Sequence, residues 1–391
     1  MRAWIGAAFA LVVGSSTVAC GAILGFPDQT NADPNFGSGE GGGPDGSTPL
    51  DGSGPDGFVP DGPGPSDSSL PLDAPIVSPD GGCNCFGGTC NGGVCQPVAI
   101  ATGQLDPNFI DTDGTTVFFG NGVHSILAVV DPNNVDAGVR SITNLSEPNL
   151  NDLRASGGYV YFTNLLGNSS NGVSRCSGST GCAGERAEYS VSSRKAFGVA
   201  VDGTNVYYTD SELQGSNGGI WSSPKNDAGA TRILPRDFPG LIVTNGTSLS
   251  WLETNSGNGL QQASKLGTGF NQTSQSAIVD LTYGTALDVY YVKGSELWRR
   301  VGTQIPTQIG GTPQVSNALA VRADASYVYW INGGVSNGAL MRCPAGVDCL
   351  LPINAPVAIA TALNNPYGLA LGTDSIYFTT RADGKVWRLR K

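Results

Sequence analysis

The chain has 391 residues, with 57 glycines and 24 prolines, room for two average domains or one large all-β domain. Its formal charge of −11 sits at one end: residues 1–95 carry ten acids and one base, and the remainder carries 22 acids against 20 bases. That near-neutral remainder offers no clustered basic face, which excludes a nucleic-acid footprint.

Residues 1–20, MRAWIGAAFALVVGSSTVAC, place one arginine before an apolar run from Ala3 to Val13 and then small residues. This is the pattern of an export signal, too short to span a bilayer as a mature helix. Ending in Thr17-Val18-Ala19-Cys20, it resembles a bacterial lipoprotein signal, and the resemblance implies lipidation of Cys20. Gly21 after the cysteine resembles lipoproteins sent to the outer membrane. Ordinary cleavage after Ala19, giving a secreted protein, is the alternative.

Residues 21–82 read as a disordered tether rich in Gly, Pro and Asp, with PDG recurring at Pro44, Pro55, Pro60 and Pro79. Too few apolar residues are present to offset the entropy of ordering it. A flexible chain of this length spans about 40 Å, and its unneutralised acids extend it further. The PDG units lack the spaced carboxylates and closing Glu of a calcium loop.

Residues 83–95, CNCFGGTCNGGVC, form a small disulfide-rich stub with Cys83, Cys85, Cys90 and Cys95. The spacing is not a common zinc pattern, and in an exported chain two disulfides are expected, with three pairings open.

From residue 96 a unit repeats: an apolar strand, a Gly/Asp/Asn turn, then a hydrophobic–aromatic strand. The second strands read VFFG at 117, VYFT at 160, VYYT at 206, LSWL at 249, VYYV at 289, VYWI at 328 and IYFT at 376. Seven short-stranded repeats near 43 residues predict a β-propeller over 96–391, one blade per repeat. In blade three, Val199–Val201, Val206–Thr209, Gly219–Ser222 and Arg232–Leu234 are the expected four strands. The second strands are apolar at consecutive positions, so both faces must be covered, as in stacked blades.

The last repeat ends after three strands. PVAIAT, the expected outer strand of blade six at 356–361, recurs at 97–102 without a blade of its own. It is expected to pair with Lys385–Leu389 and close the ring, because an unpaired edge invites aggregation. The spacing of Cys176 to Cys182 and of Cys343 to Cys349 predicts a staple across the turn after each third strand.

VYYTD at 206–210 and YFTN at 161–164 resemble the YWTD- and NHL-type repeats of receptor propellers and their bacterial relatives. Those families are six-bladed, so six blades stand as the alternative to seven. The layout of signal, spacer, cysteine stub and repeats ending in RCP resembles myxobacterial surface lipoproteins. This implies a cell-envelope location at the outer membrane or cell surface.

His124 is the only histidine, which removes His-pair metal sites and H-E-x-x-H motifs. Propellers of the streptogramin-lyase type use a histidine base, but their motif does not match around His124, which reads as a loop or strand-edge residue. No G-x-S-x-G elbow, P-loop or dinucleotide fingerprint is present. Asp113-Gly114, Asp202-Gly203 and Asn245-Gly246 read as turns rather than calcium ligands.

Loops between strands two and three share a face with the connections between blades. They differ in length, which suits binding carried on a rigid scaffold. Asn164, Asp210, Trp251, Tyr283 and Asn332 are the candidate residues near that face or the channel. The resulting expectation is a monomeric, non-catalytic propeller without cofactor. It meets the membrane only through its lipid and presents loops to a protein or glycan partner, or serves as a scaffold in envelope assembly. The alternative is a periplasmic or surface enzyme, a lyase or lactonase with calcium in the channel.

Overall fold

The computed structural model describes residues 85, 88–91, 94–121, 126–143, 150–164, 172–189, 195–212, 218–226, 229–254, 259–273, 275, 277–285 and 287–391. The signal, the tether, Cys20, Cys83 and His124 lie outside the described residues; no helix among the described residues is long and apolar enough to cross a membrane.

Seven four-stranded antiparallel sheets make the seven-bladed propeller, and the helical turns among the described residues are the short 3-10 turns at Val135–Ala137 and Pro352–Asn354. Each expected second strand is present: Val117–Asn121, Tyr159–Asn164, Asn205–Asp210, Ser248–Glu253, Asp288–Lys293, Tyr327–Asn332 and Ser375–Thr380. The first strands are Pro107–Thr112, Leu150–Ser156, Ala196–Val201, Pro239–Thr244, Asp280–Tyr283, Ala318–Ala323 and Pro366–Leu371. Each packs against the first strands of both neighbouring blades, the seventh against the first, so together they form the inner ring.

First strands begin earlier than the sequence pattern indicates. In blade three the strand opens at Ala196 and a register shift between Ala196 and Val199 accommodates an extra residue. The same irregularity recurs at Pro107/Ile110, Pro239/Ile242, Ala318/Ala320 and Pro366/Leu369. Such bulges break the alternation that would otherwise reveal the strand.

Blades stack through both faces of the second strand. In blade six, Val328 and Trp330 pack on Tyr290 and Val292 of blade five, while Tyr329 and Ile331 pack on Leu369, Ile376 and Phe378 of blade seven. This is why the repeat is apolar at consecutive positions: successive side chains point to opposite neighbours, and each is buried. The aromatic that follows stacks on the tryptophan of the third strand in three blades: Tyr208 on Trp221, Tyr291 on Trp298, and Phe378 on Trp387.

The threonine of the repeat ties neighbouring blades. Thr209 Oγ1 accepts the Gly198 N–H at 2.8 Å and donates to Gly240 O of the next blade at 2.7 Å. Thr379 Oγ1 likewise accepts the Gly368 N–H at 2.9 Å and donates to Asn108 O of blade one at 3.1 Å. Glycine is required beside it, because a Cβ on Gly368 would stand 2.1 Å from Asn108 O.

Val98–Ala101 is the fourth strand of the last sheet, antiparallel to Lys385–Arg390, while Val357–Leu363 fills the same place in blade six. Ile100 and Ala101 are buried with Ile110 and Phe119 of blade one and Tyr377 and Val386 of blade seven. Both predicted staples form, Cys176–Cys182 and Cys343–Cys349. In the stub, Cys85 pairs with Cys95, and Cys90 is disulfide-bonded as well.

Candidate functional site

The inner ring carries charge where an apolar lining would be simplest. Asp111, Arg154 and Arg322 lie opposite Phe118, Tyr161 and Tyr329 of their own second strands, so they share one level of the ring. One level nearer the face of the strand two–three loops stand Asp152, opposite Thr163, and Asp280, opposite Val292.

These groups tie blades together. Asp152 Oδ2 accepts the Val199 N–H of blade three at 3.0 Å, and its Oδ1 accepts from Arg154 Nη1 at 2.7 Å. Asp280 Oδ2 repeats the arrangement with the Val321 N–H at 3.0 Å and Arg322 Nη1 at 2.6 Å in blade six. Asp111 Oδ2 accepts the Ala155 N–H of blade two at 2.9 Å.

Charge is felt across the ring. Burial pushes the Asp152 carboxyl up to about 6, opposed by Arg154 in its own blade, the Val199 N–H and Arg322 in blade six. Burial also raises Asp111, against the pull of Arg154. Burial alone would lower Arg154, but Asp152, Asp111 and Asp280 outweigh it and hold its pKa above the usual value.

Three carboxylates in one lining are the residues that could hold a hard cation such as calcium. Arg154 and Arg322 already neutralise two of them, and among the described residues no group of three or more His, Cys, Asp or Glu is arranged to hold a metal ion. The fit to calcium is therefore poor. A carboxyl titrating near neutrality, as Asp152 does, is suited to proton transfer, but both of its oxygens are occupied.

Near the starts of the first strands Phe109, Phe197, Leu319 and Tyr367 are half-buried, Phe109 packed on the core between blades one and two and Leu319 on that between blades six and seven. Phe109 and Tyr367 meet edge to face at 6.4 Å, and the Arg381 guanidinium lies 4.9 Å over the Tyr367 ring. Both Asp106 oxygens accept from Arg381, which fixes that cation over the ring.

Of the five candidate residues, Asn164, Asp210 and Asn332 each end a second strand, opposite Leu150, Ala196 and Ala318. They therefore share the face of the strand two–three loops. Asn332 is committed to a connection: its Oδ1 accepts the Ser316 N–H and its Nδ2 donates to Gln314 O. Asp210 is fully buried.

Trp251 and Tyr283 lie elsewhere. Trp251 is mid-strand and fully buried in the packing between blades three and four, as expected for a side chain at a consecutively buried position. Tyr283 ends a first strand, at the opposite end from the loop face, with its hydroxyl 2.8 Å from Ser250 Oγ. The sequence reading missed the charged level and these half-buried aromatics. Their signals were charges inside first strands, as in LNDLRAS, and aromatics at their starts, as in PNFIDT and PYGLAL.

The turns read from sequence at Asp113, Asp202 and Asn245 are present, and Asp324 makes the same turn in blade six: each accepts two backbone N–H groups between strands one and two. One oxygen of each serves the backbone, while Asp202 Oδ2 also accepts from Tyr207 and Lys265 and Asp324 Oδ2 pairs with Lys391.

No protein-family model matches the chain, and no curated protein matches it. Solved structures do. Virginiamycin B lyase from Staphylococcus aureus is similar with a TM-score of 0.58 at 16% identity, over 76% of this chain and 98% of that one. YCF48 from Cyanidioschyzon merolae gives 0.54 at 10% identity, over 75% and 98%. An extracellular domain of a two component system from B. thetaiotaomicron gives 0.53 at 13% identity, over 76% of this chain and 40% of that one. At these identities the likeness is one of fold, and the fold is a β-propeller.

Proposed function

We propose that the protein is a non-catalytic binding propeller of the cell envelope, presenting the loop face and the channel mouth to a protein or glycan partner. The observation that carries this reading is the division of labour in the inner ring. Charged groups at depth are spent on neighbouring blades, while Phe109, Phe197 and Tyr367 remain partly exposed near the starts of their strands, with Arg381 over the Tyr367 ring. Aromatic faces with a fixed cation suit sugar rings and protein side chains alike. Disulfides and the extracellular domain among the structural neighbours support a location outside the cytoplasm. Lipidation of Cys20 and the tether of residues 21–82 belong to the same proposal.

Glycan arrays and pull-downs from cell-surface extracts test it, with Phe109→Ser/Tyr367→Ser as the comparison. A partner captured by the parent chain and lost in the variant is expected. Turnover of a small substrate with no partner bound would defeat the reading.

A second reading is an enzyme, a calcium-dependent lyase or lactonase on the same scaffold, for which the carboxylates Asp111, Asp152 and Asp280 in one lining are the supporting observation. It requires calcium to raise the melting temperature and a chelator to reverse the rise.

A further inference from the structure

The seam between blades four and five departs from the repeat on both sides. Six blades place an aromatic at the second position of the second strand: Phe118, Tyr161, Tyr207, Tyr290, Tyr329 and Tyr377. Blade four has Ser250 there, fully buried. In blade five, Arg300 stands opposite Val289, where the other blades place Val130, Cys176, Ser223, Ala263, Cys343 and Leu389. Side chains at this position face the preceding blade, so Arg300 points into the space that an aromatic at position 250 would fill.

Arg300 is completely buried, and none of its three nitrogens has a hydrogen-bond partner among the described residues. Tyr291 and Tyr283 are the groups whose charge bears on it, and burial lowers its pKa. The polar side chains of the seam, Ser250, Gln262 and Tyr283, carry no negative charge to pair with it. Gln262 Nε2 donates to the Tyr283 hydroxyl at 3.3 Å, and that hydroxyl lies 2.8 Å from Ser250 Oγ. A buried guanidinium without a counter-charge is destabilising, and native proteins rarely leave such a group unsatisfied.

We propose that this seam is an anion site, holding a small monovalent anion of the halide class against the Arg300 guanidinium. Ser250, Gln262 and Tyr283 form its polar wall. Each of these side chains is less than a tenth exposed, so the enclosure selects a compact ion over phosphate or a carboxylate ligand. The site is separate from the channel mouth and independent of what binds there.

Crystals of the full chain soaked in sodium bromide test the proposal by anomalous scattering. A bromide peak within about 3.5 Å of the Arg300 nitrogens is expected. Melting is then followed against sodium chloride at constant ionic strength, with gluconate as the replacement anion. The parent chain should gain about 5 °C at a hundredfold excess over its Kd, and Arg300→Met should lose that chloride-dependent gain. Ordered water in place of bromide, or the same chloride response in both proteins, overturns the proposal. If Arg300→Met does not fold, the bromide map of the parent chain decides.

Discussion

Ala99 lies directly opposite Trp387, so a residue near the start of the described chain and one near its end share a sheet. The strand around Ala99 carries Ile100 and Ala101 into the packing between blades seven and one. Deleting residues 96–103 removes that strand and leaves Lys385–Arg390 as an unpaired edge. Loss of cooperative melting, or aggregation on expression, is the expected outcome, read by circular dichroism and size-exclusion chromatography. A truncated chain that melts like the parent would show that the pairing contributes nothing to ring closure.

Close approach between blades makes a second prediction. Gly368→Ala drives a Cβ into Asn108 O and Ile110 Cγ2, at 2.1 and 2.8 Å before any relaxation. Overpacking of this kind costs about 3 kcal/mol. Gly203→Ala, where a Cβ meets nothing within 4 Å, is the control and should be near neutral. Urea unfolding of both variants separates backbone contact from a general intolerance of alanine.

The staples predict a graded loss. Each closes a loop with a sequence separation of 6 residues. Loops this short restrain the unfolded chain by about 2 kcal/mol each. Cys343→Ala/Cys349→Ala should lose that amount, and adding Cys176→Ala/Cys182→Ala should lose it again, because the two staples lie in separate blades. Reduction of the parent chain with dithiothreitol should lose at least that sum, because it also opens Cys85–Cys95.

Titration of Asp152 gives a pH signature. Folding raises this carboxyl from 3.8 to about 6. Its protonated form is thus favoured in the native state. The resulting stabilisation is complete below about pH 4 and is lost as pH rises through 6, roughly 3 kcal/mol in all. Asp152→Asn cannot titrate. The stability of the parent relative to this variant should therefore fall between pH 4 and pH 7, whatever their order at either end. A flat difference in urea unfolding across that range would show that Asp152 is not shifted.

Sequence alone determined the local events. The aromatic second strands, the Asx turns and the six-residue cysteine separations are each written within a few residues, so pattern and turn chemistry reveal them. The duplicated PVAIAT segment even exposed one long-range pairing, because a missing outer strand in the last repeat needed a donor. What the repeat hides is decided by the closed ring. Asp152 finds the Val199 N–H, Asp111 finds Ala155, and Arg322 feels Asp152 across the centre only once separate blades converge. The same holds for Arg300, whose burial against blade four depends on the stacking of the two blades. Which face of a strand meets which neighbour depends on how blades stack, and that is settled by packing between segments more than 40 residues apart. No pattern within one repeat contains it.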